Sequence, residues 1–182
     1  MFVASDLGII VSPSGALNQY GDDTAGVCIS TDGGHHFHHV EFPGIEMGRG
    51  PNGVFCTSSD HCIAYGDGYF VGPDQAYIYV SNNASMGAAS TWTKATVPSF
   101  VEDTRLRDVF FAPDNTTGWL VGAAGSGAPL LLRTTDGGAT WTDQTSMIRA
   151  LAGSVRLSVG YAYDATHIWI GGEHDTLLTT GN

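Results

Sequence analysis

Apolar positions along the chain fall in short runs separated by polar, glycine-rich turns, and the runs recur in a fixed order. Gly53-Val54-Phe55-Cys56, Asp108-Val109-Phe110-Phe111 and Ser158-Val159-Gly160-Tyr161 open successive units. A polar turn and a second run ending in glycine follow each: Cys62-Ile63-Ala64-Tyr65-Gly66, Trp119-Leu120-Val121-Gly122 and Ile168-Trp169-Ile170-Gly171. The third runs are Tyr77-Ile78-Tyr79-Val80, Leu130-Leu131-Leu132-Arg133 and Leu177-Leu178-Thr179. A fourth run is led by an aromatic: Phe37-His38-His39-Val40, Trp92-Thr93-Lys94-Ala95 and Trp141-Thr142-Asp143. Runs this short, bounded by Gly, Asp, Asn and Ser, read as strands. Four strands per period of about 50 residues is the sequence form of a β-propeller blade. No stretch of a dozen residues keeps a 3.6-residue apolar period, so helices should be minor.

Between the third and fourth runs sits a repeated motif. Thr134-Thr135-Asp136-Gly137-Gly138-Ala139-Thr140-Trp141 and Ser30-Thr31-Asp32-Gly33-Gly34-His35-His36-Phe37 both obey Ser/Thr-x-Asp-x-Gly-x-x-aromatic, and they start 104 residues apart. Halfway lies a degenerate copy, Ser81-Asn82-Asn83, which lacks the Asp and reaches Thr91-Trp92 only after an insertion. The motif resembles the Asp-box, or BNR repeat, of sialidases, sortilin-type receptors, some glucanases and photosystem II assembly factors. That resemblance implies an all-β chain: a β-propeller of four-stranded antiparallel blades with Asp-box hairpins, about four blades or part of a larger ring. The residues it marks are Ser30, Asp32, Gly34, Phe37, Thr134, Asp136, Gly138 and Trp141. In such a turn the carboxylate accepts backbone N–H groups, Gly supplies positive φ, and the aromatic packs under the hairpin as a plug. These turns lie away from the ligand face in the family, so the motif implies a folding device and no particular activity.

The blades are expected at about 1–47, 48–98, 99–149 and an unfinished 150–182, within a single propeller region over 1–182. The first is irregular, with Phe2-Val3-Ala4 and Gly8-Ile9-Ile10-Val11 ahead of a long Gly/Asp/Asn-rich loop at 12–26. The last stops after its third strand. Three arrangements fit: an N-terminal strand completing the last sheet, blades supplied by a longer parent chain, or self-association. A piece of a larger propeller, or a subunit that depends on others, is favoured over a closed monomer.

Composition narrows the function. Eighteen acidic residues against seven Lys+Arg give a net charge of -11 and a pI near 4.7. A chain this acidic repels phosphate backbones and anionic lipid heads, so nucleic acid is not expected as a partner. No apolar run reaches membrane-spanning length, so no membrane insertion is expected. Nor does the N-terminus carry a signal peptide, which leaves a cytoplasmic chain, a removed leader or a piece of something longer. Cys56 and Cys62 flank a five-residue polar turn between two apolar runs. A disulfide stapling that hairpin is expected, with two buried thiols as the alternative. A bridge points to an extracellular or periplasmic location. Cys28 reads as buried in its strand.

Candidate chemistry is thin. A glycosidase needs two carboxylates across a sugar, and sialidases need a Tyr nucleophile with three arginines on the substrate carboxylate. Arg49, Arg105 and Arg156 recur near the starts of three units, but none stands in the Phe-Arg-Ile-Pro setting that opens sialidase domains. Ion pairs with Glu46, Glu102 and Asp103 are the plainer role. On a strand, His36 and His38 point to one side and offer a weak metal-ligand pair, yet no third ligand stands at metalloenzyme spacing. Asn18, Asp22 and Asp23, and Asp67 with Asp74, carry the oxygen donors Ca²⁺ takes, without EF-hand spacing. No catalytic residue and no cofactor is assigned. The expected function is a non-catalytic module for binding a protein or glycan, or a structural subunit of an extracellular or periplasmic assembly. The rival is part of a glycan-active hydrolase whose remaining catalytic residues lie outside this chain.

Overall fold

The computed structural model describes residues 6–11, 16–17, 23–45, 50–67, 76–99, 104–125 and 127–180. The chain forms two compact units, one from Met1–Val71 with Tyr77–Lys94 and one from Gly72–Ala76 with Ala95–Asn182.

The first unit opens with β1 (Gly8–Ile10) and a short ribbon of β2 (Ala16–Leu17) and β3 (Asp23–Thr24) within the long polar loop. β4 (Gly26–Ser30) and β5 (His38–Glu41) follow, and the sheet order is β1-β4-β5. The N-terminal strand at 8–10 is therefore a member of the first sheet, paired antiparallel to β4. Phe2-Val3-Ala4 lies outside the described residues. The next sheet runs β6 (Gly53–Cys56), β7 (Cys62–Asp67), β8 (Ala76–Ser81) and β9 (Thr93–Lys94) in sequence order. Ile9, Val27 and Ile29 of the first sheet bury completely against a cluster containing Ala64, Tyr77, Tyr79 and Trp92. Phe42 stacks on Tyr79 within it, ring centroids 4.4 Å apart.

In the second unit β10 (Arg105–Phe111), β11 (Gly118–Ala124), β12 (Ala128–Thr134) and β13 (Thr142–Asp143) form a four-stranded meander. After a helix, α1 (Thr145–Ala152), come β14 (Leu157–Ala162), β15 (Ile168–Gly172) and β16 (Leu177–Thr179), ordered β14-β15-β16. Both innermost strands bulge at the same place, between Leu106 and Asp108 in β10 and between Leu157 and Val159 in β14. Phe110, Trp119, Val121 and Leu131 pack on Leu157, Ile168 and Ile170 to make this unit's core. Gly160 permits that closeness: a Cβ there would lie 1.8 Å from Phe110 Cε1.

Middle strands such as β7, β8 and β11 are buried nearly throughout, as their unbroken apolar runs require. Outer strands β9 and β13 are short, polar and exposed, which protects a sheet edge from unwanted pairing. Cys56 and Cys62 face each other in the β6–β7 register and are joined by a disulfide, with Cα atoms 4.0 Å apart. Cys28 keeps a free, half-buried thiol whose pKa burial pushes up.

Candidate functional site

The two Asp-Gly-Gly turns superpose bond for bond. In the later copy the Thr134 hydroxyl donates to Asp136 Oδ1 at 2.8 Å and accepts from Gly138 N–H at 2.9 Å. Asp136 in turn accepts from Thr140 N–H at 2.9 Å and from the Thr140 hydroxyl at 2.6 Å. In the earlier copy Ser30 donates to Asp32 at 2.8 Å and accepts from Gly34 N–H at 2.9 Å, and His36 takes the place of Thr140. Gly33 and Gly137 share φ 73°, with Gly34 at 90° and Gly138 at 93°, all left-handed values. Asn83 replaces the missing Asp in the middle copy. It accepts from Thr91 N–H at 2.8 Å, reaching across the 3₁₀ turn Ala84–Ala89 that forms the insertion.

The aromatic plugs differ. Trp141 is 4% exposed and its indole N–H donates to the Gly138 carbonyl at 2.8 Å. Trp92 is buried as well. Phe37 is 38% exposed, which corrects the expectation of a plug at that position. A phenyl ring has no N–H to donate to the turn carbonyl, but Trp92 is buried with its indole N–H unbonded among the described residues, so that bond alone does not decide burial at this place.

His36 lies in the turn, because β5 begins only at His38, so the two do not share a strand face. Its Nδ1 sits 2.6 Å from Asp32 Oδ2. Bonds from the His36 backbone and ring, then from Ser30, hold the Asp32 carboxyl far below the usual range. Among the described residues no group of three His, Cys, Asp or Glu side chains is placed to hold a metal ion. Asn18, Asp22, Asp74, Arg49, Glu46, Glu102 and Asp103 lie outside the described residues, while Asp67 is bonded by the Asn52 side-chain amide. Arg105 is exposed at the start of β10, and Arg156 pairs with Glu173 at 3.4 Å.

Sequence reasoning missed a second family of turns. Asp114 accepts Thr116 and Thr117 N–H at 2.9 and 2.7 Å, and Asp164 accepts Thr166 and His167 N–H, each at 2.7 Å. Ser58 plays the same part for His61 N–H at 3.0 Å. The signal was Asp-x-Thr-Thr recurring as Asp-x-Thr-His, a pattern hidden by its everyday residue types. Asp108 was also missed. At the β10 bulge it accepts Gly160 N–H at 2.9 Å, tying two sheets together, and burial raises its pKa against the opposing bonds from Gly160 and Val109.

One groove stands out in the second unit. It encloses about 320 Å³ between β11–β12, α1 and β15–β16. Trp119, Leu131, Ile148, Ile170 and Leu178 line it, with Met147 at the rim, 70% exposed. Among the described residues Arg133 is its charged member, and no carboxylate lines it. The guanidinium carbon lies 6.0 Å from the Trp119 ring centroid. Among the described residues the lining offers apolar area and one cation, and neither an acid/base pair nor a nucleophile beside a base.

The profile of the photosynthesis system II assembly factor YCF48 family matches residues 84–182. Among solved structures, YCF48 from Cyanidioschyzon merolae is 16% identical with a TM-score of 0.55, covering 99% of this chain and 49% of that one. A GH74 enzyme from Niastella koreensis is 15% identical with a TM-score of 0.57, over 96% and 29% of the respective chains. A YCF48 bound to D1 peptide aligns more loosely, with a TM-score of 0.43 at 16% identity, over 86% and 58%. The chain thus spans about half the length of the YCF48 structures it matches, and its fold is that of β-propeller blades. No curated protein matches it significantly.

Proposed function

As the chain belongs to the family of the photosynthesis system II assembly factor YCF48, we propose that it is a non-catalytic β-propeller module that binds another protein during the building of an assembly. The observation that carries this reading is the groove of the second unit, apolar and, among the described residues, without a carboxylate in its lining. Such a surface suits an apolar side chain presented by a partner. The Asp-turn residues support the same reading, because their polar groups are used up within the turns themselves. We place the protein outside the cytoplasm, extracellular or periplasmic, since a disulfide such as Cys56–Cys62 persists in an oxidising compartment.

The rival, a glycan-active hydrolase, shares the blade fold. Two measurements on the purified chain separate them: turnover of sialyl and β-glucan substrates, and sedimentation with proteins co-purified from its own compartment. A saturable complex with one repurified protein, without turnover, is the expected result. Turnover abolished by substitution of a single carboxylate overturns it. Saturable binding of an oligosaccharide alone replaces the protein partner with a glycan.

A further inference from the structure

Three hairpins of the chain differ in what closes them. In β10–β11 and β14–β15 the last register pairs are Phe111 opposite Gly118 and Ala162 opposite Ile168. A carboxylate organises each of those turns, Asp114 and Asp164 each taking two backbone N–H groups. The β6–β7 hairpin has Ser58 at that place, a neutral hydroxyl that accepts His61 N–H at 3.0 Å. Its last register pair is Cys56 opposite Cys62, joined by the disulfide. A covalent closure thus stands beside a weak acceptor where the other turns carry an ionised one. Unlike a carboxylate's hold, it can be undone by a thiol.

The closed turn holds the inserted segment Ala84–Ala89. Asp60 O accepts Ala84 N–H at 3.0 Å, and the Asp60 carboxylate accepts the Ser85 hydroxyl. In the second unit Thr116 O takes Gly137 N–H in the same way, from a turn that Asp114 organises. The inserted segment lies in turn against the first Asp-Gly-Gly turn, for a Cβ on Gly87 would stand 2.9 Å from Thr31 Cγ2. Beyond it the chain is loosely tied. Ser90 Oγ and Trp92 Nε1 are buried without a hydrogen-bond partner among the described residues, whereas the Trp141 indole N–H is bonded to Gly138 O. All these residues belong to the first unit.

We propose that the Cys56–Cys62 disulfide is a redox latch on the inserted segment. Oxidised, it fixes the β6–β7 turn and, through Asp60, holds Ala84–Ala89 over the first Asp-Gly-Gly turn. Reduced, it lets that segment open while the sheet stays folded, because β7 and β8 are buried along their length and keep their ladders. The reductant is a dithiol. Its thiolate attacks the sulfur of Cys56, the more exposed of the pair, forming a mixed disulfide as Cys62 leaves and takes a proton. The second thiol of the reductant, losing its proton, then attacks its own sulfur in that mixed disulfide and releases Cys56 as a thiol. Two electrons pass to the cysteines, and the dithiol becomes a disulfide. The latch stands apart from the protein-binding reading, and its test needs no partner.

Amide hydrogen exchange read by mass spectrometry on the full chain, before and after dithiothreitol, tests it, with intact mass confirming the thiol state. Reduction should speed exchange roughly tenfold or more in peptides spanning 57–61 and 84–91. Peptides from β8 and from β10–β12 should be unchanged. Cys56→Ala with Cys62→Ala should give the reduced pattern with or without reductant. Ser58→Asp keeps the disulfide and supplies the missing carboxylate, so Ala84–Ala89 should stay protected in that variant after reduction. A disulfide that resists dithiothreitol in the folded chain overturns the proposal, and so does its absence from the purified protein. Unchanged exchange over 84–91 on reduction overturns it as well. Faster exchange throughout the first unit would make the bridge a general staple and not a latch, which overturns it too. So does a Ser58→Asp chain as sensitive to reduction as the wild type. Should Ser58→Asp not fold, the oxidised and reduced wild-type chains still decide the matter.

Discussion

Trp141 and Phe37 occupy equivalent places after equivalent turns, yet Trp141 is buried with its indole N–H on the turn carbonyl and Phe37 is exposed. Trp141→Phe should therefore cost more than lost area, about 1–2 kcal/mol for the orphaned Gly138 carbonyl, whereas Trp141→Ala should cost about 3–5 kcal/mol through its cavity. Chemical denaturation of both variants measures the gap, and equal losses would show that the indole N–H is immaterial. The reciprocal change, Phe37→Trp, should raise the melting temperature and blue-shift the fluorescence of the new indole. Gly160 is a steric case. A methyl group 1.8 Å from the Phe110 ring forces that ring aside, so Gly160→Ala should destabilise by about 1–3 kcal/mol. The penalty should shrink when Phe110→Leu accompanies it.

At the level of the element, the β6–β7 hairpin is closed at its turn by Cys56–Cys62, a loop with sequence separation 6. Closing so short a loop limits the gain, so Cys56→Ser with Cys62→Ser should cost about 2 kcal/mol. Intact mass before and after alkylation under denaturing conditions should register one free thiol, that of Cys28. The strands were legible because each keeps its apolar run and its turn chemistry. The Asp-turn residues were legible because Gly33-Gly34 and Gly137-Gly138 must adopt left-handed φ, leaving few sequences able to do the job. The degenerate copy at Ser81-Asn82-Asn83 was legible, but the bond from Thr91 to Asn83 was not, since sequence spacing says nothing about a side chain reaching across an insertion. His36 was misplaced onto a strand for a related reason: its ring is drawn to Asp32, and the strand begins two residues later. The groove was not readable at all, as it gathers residues from four strands and a helix.

For the molecule as a whole, turn carboxylates set the response to acid. Asp32 and Asp164 are held well below the usual range by the N–H and side-chain donors of their turns. Around Asp114 and Asp136 slight burial works the other way but is outweighed by their threonine donors, so both are lowered. A depressed carboxylate contributes stability above its unfolded pKa and loses it as pH falls toward the folded value, so the melting temperature should drop below about pH 4. Asp108 has the opposite sign. Its raised pKa favours the folded state at low pH and is a liability as pH rises through the folded value. Asp108→Asn should therefore be neutral or stabilising at pH 7 and steepen the loss on acidification, which melts across the pH range would register. The same turns govern how the chain ages. Aspartate followed by glycine is the usual site of spontaneous isomerisation, in which the glycine nitrogen attacks the aspartyl carbonyl to close a succinimide. Here Gly137 N–H is committed to Thr116 O at 3.0 Å and Gly33 N–H to Asp6 O at 2.9 Å, while both carboxylates are clasped by their own turns. Folded protein kept for weeks should gain isoaspartate at Asp32 and Asp136 far more slowly than peptides of the same sequence, so the shelf life of its backbone is a property of its fold.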